Sequence, residues 1–267
     1  MTLLAIESAT DSVGVALIRD DGGSAERVHQ GGRAHAELLA PAIEEVCALS
    51  GCTIGDVDRI AVDIGPGLFT GLRVGVATAK ALAQALGVAV LGVTSLDTLA
   101  AATASRFDPG RARPVVAVVD ARRGEVFAAA YRFDRAPNTG SGQPVDPESV
   151  RSDRLEPLAP DELVAWVEDL AGEAGPVTLV GDGVVRYHQL LGPVPGLDLG
   201  WAETLSSPPP LALAHLARQR LDRGVPPVPV VDLVPDYRRQ ADARINWEQR
   251  NPRQSGSAPA ATPGGPR

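Results

Sequence analysis

Seven residues, Gly65-Pro66-Gly67-Leu68-Phe69-Thr70-Gly71, stand ahead of an apolar-periodic segment where a chain could hold a phosphate. Glycine-rich turns that open helices leave backbone N–H groups free to point at an anion, and the helix dipole adds to the attraction. The spacing meets neither common cradle. A P-loop needs Lys and then Ser or Thr directly after its last glycine, whereas Gly71 is followed by Leu72 and Arg73, and Lys80 lies more than two turns further on. A dinucleotide fingerprint sets its glycines at relative positions one, three and six, whereas Gly65, Gly67 and Gly71 give one, three and seven. Pro66 also brings no N–H. The competing reading is close packing. Gly71, Gly75 and Ala79 recur every four residues and leave a smooth groove beside Leu72, Val76 and Leu82, where another backbone can approach. The spacing favours packing over anion binding.

Other residues raise narrower questions. Glu7, Ser8, Thr10 and Asp11 form a polar turn between two apolar runs. They could hold a magnesium-bound phosphate, or they are simply the residues that turns favour. Asp120 and Arg122 sit in a second such turn and either pair with each other or face a cleft. Gly181-Asp182-Gly183 reads as an adenosine-binding turn or as a plain loop. The histidines are His29, His35, His188 and His215, and no two share a ligating spacing. Cys47 and Cys52 have no ligating histidine beside them and fit free thiols in a reducing compartment better than a secreted disulfide. No nucleophile is visibly matched to a base, so a peptidase has no support. Lys80 is the only lysine. Either codon usage favours arginine throughout, or position 80 needs a compact ammonium group.

The elements that must position these residues read as α/β. The chain has 267 residues, a formal net charge of −8 and 44% hydrophobic residues, which suits an ordinary globular protein and disfavours a broad nucleic-acid face. No apolar run is long enough for a membrane span, and the start meets an acid at Glu7 instead of forming a signal peptide. Strands are expected at 3–6, 13–18, weakly at 26–30, then at 59–64 and 88–93. Helices are expected at 35–49, with a late start or kink at Pro41, and at 71–86, with Thr70 as cap. Ser95 should cap a helix to about 105, with Asp97 in its first turn. A second hairpin at 115–120 and 125–133 repeats the strand, acid, turn, strand order of the first, which suggests a duplicated unit. Residues 136–160 read as a loop, 161–171 as a helix, 177–180 as a strand with a helix to about 191, and 211–221 as a helix. Residues 228–234 read as an extended edge piece, and from 248 onward as a disordered tail.

Taken together, GPGLFTGLRVGVATAKALA at 65–83, AIESATDSVGVAL at 5–17, HAELLAPAIEEV at 35–46 and DARRGEVFAAAY at 120–131 resemble the TsaB family of bacterial tRNA threonylcarbamoyladenosine biosynthesis proteins. The likeness is specific to about residue 133 and looser through LVGDG at 179–183 and LVPDYRR at 233–239. It implies an actin-like, sugar-kinase-like ATPase fold of two ribonuclease-H-like lobes with mixed sheets flanked by helices. Residues 1–106 would form the N-terminal lobe, 107–247 the C-terminal lobe and 248–267 the tail.

The resemblance also implies a role. Such a chain is a cytoplasmic dimerisation and activating subunit, not an enzyme by itself. It pairs with a catalytic TsaD-like subunit and a TsaE-like ATPase to modify the adenosine beside the anticodon, and meets tRNA only through that complex. ATP or ADP and metal are expected on the partners, with none held tightly here. The catalytic paralogue carries two metal-holding histidines four residues apart, just after the strand that follows the glycine turn. Ser95 and Leu99 stand at those places, and leucine cannot ligate a metal. The turn at Glu7, Ser8, Thr10 and Asp11 would be a vestigial phosphate loop. The partner interface would be two helices side by side, through Leu38, Leu39, Ala42, Ile43, Val46, Gly71, Leu72, Gly75, Val76, Ala79 and Leu82. The same surface would form a homodimer when TsaD is absent. The alternative function is a sugar- or acid-kinase-like phosphotransferase. In the C-terminal region Arg238, Arg239, Arg244, Arg250 and Arg253 outnumber Asp236, Asp242 and Glu248, which suits either tRNA contact within the complex or a solvated tail.

Overall fold

β1 (Thr2–Glu7) and β2 (Ser12–Arg19) pair antiparallel as the opening hairpin, and β3 (Ser24–Gln30) extends it. The computed structural model describes residues 1–30, 34–107, 113–133, 151–153 and 156–238. After α1 (His35–Ser50) come β4 (Arg59–Gly65), α2 (Phe69–Leu86) and β5 (Ala89–Thr94). β4 joins β1 and β5 joins β4, both parallel, so the sheet runs β3-β2-β1-β4-β5. Side chains alternate along each strand. Leu4, Ile6, Val15 and Leu17 pack under α1 and α2, while Leu3, Ala5, Ala16 and Ile18 face the other way. With both faces covered, β1 and β2 are apolar almost throughout.

The second half repeats the plan. α3 (Ser95–Ala104) leads to β6 (Val115–Arg122), β7 (Glu125–Tyr131), β8 (Arg151–Asp153), α4 (Pro160–Ala174), β9 (Val177–Val180), α5 (Asp182–Arg186), α6 (His188–Leu191), β10 (Leu197–Asp198) and α7 (Pro210–Asp222). This sheet runs β8-β7-β6-β9-β10, the same third, second, first, fourth, fifth order as the first. The duplicated hairpins are thus the cores of two ribonuclease-H-like lobes in an actin-like, sugar-kinase-like fold.

The lobes exchange helices. α3 packs on β6 through Leu96, Leu99 and Ala100, whereas α7 returns to the first sheet through Leu213, Ala214, Leu216 and Ala217. Residues 210–238, which sequence order puts with the second lobe, therefore lie against the first. A buried knot ties these parts together. Asp97 on α3 accepts from Arg220 of α7 at 2.8 Å and from the Tyr131 hydroxyl of β7 at 2.9 Å.

Several boundaries differ from expectation for local reasons. α1 starts at His35 and runs through Pro41, which is exposed and has no N–H to give to the Glu37 carbonyl one turn back. α2 starts at Phe69 behind Leu68, so Thr70 lies inside the first turn and caps nothing. Thr94, not Ser95, caps α3, accepting from the Asp97 N–H at 3.1 Å. Within the expected loop 136–160, Arg151–Asp153 forms an edge strand on β7. The expected helix to 191 is two short ones that meet at Tyr187. Leu158 of that loop bridges Val126 of β7, while 136–150, 154–155 and the tail 248–267 with its arginines lie outside the described residues.

The extended piece near 228–234 is a strap on the first lobe. Val228 bridges Val90 of β5, Leu233 is buried in the core, and the Asp236 N–H donates to Ile64 O at 2.7 Å. Lys80 holds it, its ammonium donating to Val231 O at 3.2 Å and Leu233 O at 3.0 Å. Two carbonyls around one nitrogen suit a compact ammonium better than a planar fork. Beyond them, Arg73 lies 3.7 Å over the Phe69 ring and donates to the Tyr237 hydroxyl at 3.3 Å. Lys80→Met is expected to lower stability by about 1–2 kcal/mol and to speed amide exchange at 228–236. Unchanged exchange there would mean that Leu233 alone holds the strap.

Candidate functional site: the facing hairpin turns

The β1–β2 turn is wired to its own chain. Glu7 is buried, with Oε1 accepting from the Ala9 N–H at 2.7 Å and Oε2 from the Ser12 hydroxyl at 3.4 Å. Ser8 Oγ donates to Gly71 O at 3.0 Å, and Thr10 Oγ1 lies 3.0 Å from Ser12 Oγ. His35 Nε2 sits 2.7 Å from Thr10 O. Asp11 is exposed and reaches across to the other lobe.

The glycine turn and α2 fold over this hairpin, which explains their glycines. A Cβ on Gly67 would stand 2.2 Å from Ala9 O, on Gly71 2.1 Å from Ser8 O, and on Gly75 2.2 Å from Ser8 Oγ. The Leu68 N–H donates to Ala9 O at 2.6 Å. The room a phosphate would need is taken by Ser8 and Ala9. Close packing is the use of this groove, and its occupant is the protein's own β1–β2 turn.

That corrects the expected interface. Gly71, Leu72, Gly75, Val76 and Ala79 of α2 are buried within the chain, as are Leu39, Ala42, Ile43 and Val46 of α1. Their helix faces are already used by the first lobe's own sheet and turn. Only Leu38 and Leu82 of that set reach the surface, both half-buried. The outward residues that sequence reading missed include Ala40, Pro41, Glu44 and Ala48 on α1, and Ala77, Ala81, Gln84 and Ala85 on α2. Burial at helical spacing was the available signal, since the alanines repeat at every fourth position opposite the apolar stripe.

The second turn completes the site. Arg122, Arg123 and Gly124 all take positive φ, and Asp120 Oδ1 accepts from the Arg122 N–H at 2.9 Å. Asp120 Oδ2 meets Arg186 at 3.0 Å and Arg122 at 3.2 Å. Arg122 then crosses the cleft to Asp11 at 2.7 Å. Asp120 and Arg122 therefore do both things the sequence left open: they pair, and they face the cleft. The hydrogen bond to Asp11 raises the Arg122 pKa further above its ordinary value. Asp182 accepts from the Asp120 N–H at 2.8 Å, so Gly181-Asp182-Gly183 serves as a tight structural turn, with Val118 O where a Gly181 Cβ would be. A separate cavity of about 740 Å³, lined in part by Arg19, Glu26, Arg106, His215 and Arg218, includes none of these turn residues.

Buried acids gather beneath the turns. Asp63 Oδ1 accepts from the Gly65 N–H and the Ser95 hydroxyl, each at 2.7 Å, while Oδ2 is buried without a partner. Burial pushes the Asp63 carboxyl up to about 7 and Asp182 up to about 6. Burial, with Asp63 nearby, raises Glu7 well above the usual carboxylate range. Ser95 thus spends its hydroxyl on Asp63, and Leu99 is buried among Leu96, Ala100 and Val180. The two positions do not fit a metal, and among the described residues no group of three or more His, Cys, Asp or Glu could hold one.

These raised values carry a pH dependence. The folded chain binds protons here more tightly than the unfolded chain, so this stability is complete below about pH 4 and is lost as pH rises to about 7. Asp63→Asn keeps an oxygen for Gly65 and Ser95 and removes the titration. Denaturant unfolding should show the wild type losing up to a few kcal/mol between pH 5 and 7.5, with a flatter profile for Asp63→Asn. Parallel profiles would place the proton elsewhere.

Comparison with known proteins places the chain. A Bacillus subtilis protein named tRNA threonylcarbamoyladenosine biosynthesis protein TsaB is 32% identical over 254 residues, covering 92% of this chain and 98% of that one. The chain belongs to the TsaB family. The Escherichia coli TsaB is 34% identical over 134 residues, spanning 50% of this chain and 56% of that one. YeaZ from Pseudomonas aeruginosa superposes with a TM-score of 0.65 at 27% identity, covering 88% of this TsaB-family chain and all of that structure. The family model described as TsaD, tRNA N6-adenosine threonylcarbamoyltransferase, matches residues 26–142, a stretch that holds α1, α2 and the second hairpin.

Proposed function

We propose that this TsaB-family chain is a non-catalytic subunit that pairs with a TsaD-like transferase and activates it for tRNA threonylcarbamoylation. A TsaE-like ATPase joins the pair, the nucleotide and metal sit on the partners, and tRNA is met through the complex in the cytoplasm. The observation that carries this reading is the contrast between the two sides of α1 and α2. Their inner faces close over a turn whose polar atoms are spent internally. Their outer faces present small residues, Ala40, Ala48, Ala77, Ala81 and Ala85, with half-buried Val74, Thr78 and Leu82 beside them.

Small residues let a second pair of helices approach closely. The TsaD family model covers both helices, so a TsaD-like subunit carries counterparts, and two similar helix pairs can meet about a pseudo-two-fold axis. A second copy of this chain would compete for the same face. Among the described residues no helix is long and apolar enough to cross a membrane. The phosphotransferase reading is weakened by Arg122, which bridges the two turns in an ion pair with Asp11. The test is reconstitution: purified TsaD-like and TsaE-like proteins, ATP, a threonylcarbamoyl donor and tRNA, with and without this chain. Modified nucleoside should form only when the chain is present and should follow its co-elution with the TsaD-like protein. Equal modification without it would overturn the reading.

A further inference from the structure

The C-terminus of α1 brings the protein's two cysteines together. Gly51 takes the left-handed conformation at φ 64°, its N–H donates to Ala48 O at 3.2 Å, and the Cys52 N–H donates to Cys47 O at 3.1 Å. These two bonds define a Schellman closure, and Cys47 and Cys52 hold the two positions whose side chains meet across it. In most such closures the contact is between hydrocarbon groups, whereas here it joins two thiols. Both sulfurs belong to the same apolar cluster, with Cys47 buried and Cys52 half-exposed. The direct backbone hydrogen bond limits the Cα separation to about 7 Å or less, the range a disulfide spans. Burial, together with the neighbouring Cys52 thiol, pushes the Cys47 thiol up to about 11.

We propose that Cys47 and Cys52 are a redox modification site, closing to an intramolecular disulfide when the protein meets a low-molecular-weight disulfide. The half-exposed Cys52 loses its proton to solvent and attacks one sulfur of the oxidant, expelling one small thiolate. Cys47 then gives up its proton and attacks Cys52 Sγ, expelling the second. Two protein thiols and one small disulfide become one protein disulfide and two small thiols, so the oxidant leaves fully reduced. Opening the bridge is slow, because an incoming thiol reaches only Cys52 and must expel the buried, weakly acidic Cys47 thiol. The bridge staples the last turn of α1 to its cap, and the inference stands apart from the TsaD reading.

The test uses the full-length protein equilibrated with oxidised and reduced glutathione, quenched with acid, alkylated and weighed by mass spectrometry. Wild type should lose about two mass units and resist alkylation at both cysteines. Cys47→Ala, checked for folding by circular dichroism, should instead carry glutathione on Cys52 at least ten-fold more than wild type. Cys52→Ala should carry none, because Cys47 is buried. Should Cys47→Ala unfold, the wild-type mass decides alone. A wild-type protein that keeps a glutathione adduct on Cys52, or leaves both thiols free to alkylate, would overturn the proposal.

Discussion

Gly75→Arg is expected to yield an unfolded protein. The groove along α2 invites the thought that a long charged side chain there would only repel a partner and leave a folded subunit. The contacts say otherwise, since even a Cβ at position 75 would sit 2.2 Å from Ser8 Oγ, with Ile6 just beyond. An arginine would drive a long side chain into the packed core between α2 and β1, with several kcal/mol of desolvation to bear. Gly75→Ala provides the graded version. Its single methyl must push the Ser8 hydroxyl off Gly71 O, and a loss of roughly 1–3 kcal/mol is expected. Ser8→Ala removes that hydroxyl, so the double variant should lose less than the sum of the singles. Circular dichroism and denaturant unfolding read all four proteins. A folded Gly75→Arg would mean that α2 can lift from the hairpin, and simple additivity would mean that Ser8 and Gly75 do not meet.

The same pair of residues shows how far the sequence could be read. Gly71, Gly75 and Ala79 announce a close approach by their spacing, because only a backbone or a small polar atom fits such a groove. Which backbone fills it is a tertiary fact. Ser8 lies 63 positions before Gly71, and nothing local in either stretch names the other. The repeated hairpins were legible as a duplication because each carries its own pattern of strand, acid, turn and strand, and the matching strand orders follow from that repeat. The return of α7 to the first sheet was not legible. Its apolar stripe would suit either lobe, and the choice rests on Leu213 and Leu216 meeting β1 and β2, while Arg220 ties the helix to Asp97 of α3. Lys80 was flagged by its rarity alone, and the carbonyls it serves lie about 150 residues away in a strap that reads only as an irregular edge piece. Asp120 and Arg122 were correctly singled out, but the span from Arg122 to Asp11 joins two turns more than a hundred residues apart. Of the buried acids, Glu7 and Asp182 stood out by their turns, whereas Asp63 in a strand of small and branched residues gives no sign that one of its oxygens will be left without a partner.

Ala81→Arg is expected to leave a folded, stable subunit that no longer binds a TsaD-like partner. Ala81 lies on the exposed side of α2, four residues from Ala77 and Ala85, and takes no part in the chain's own core. Arginine is a good helix former, so in the isolated chain the change should stay within about 0.5 kcal/mol of wild type. In the proposed four-helix contact the new side chain would enter a seam of small residues, where it blocks close approach. Loss of a packed centre together with the cost of burying the new charge should weaken binding by a hundred-fold or more. Self-association should fall in parallel, because a second copy would use the same face. Modification in the reconstituted system should fall with binding. Ala165→Arg on α4 is the control, adding the same charge at an exposed alanine of the other lobe. Sedimentation and size-exclusion chromatography with the TsaD-like protein, beside thermal unfolding, separate the outcomes. If Ala81→Arg binds as wild type does while Ala40→Arg on α1 also binds, the α1–α2 face is not the docking surface, and the partner must be sought on the other lobe.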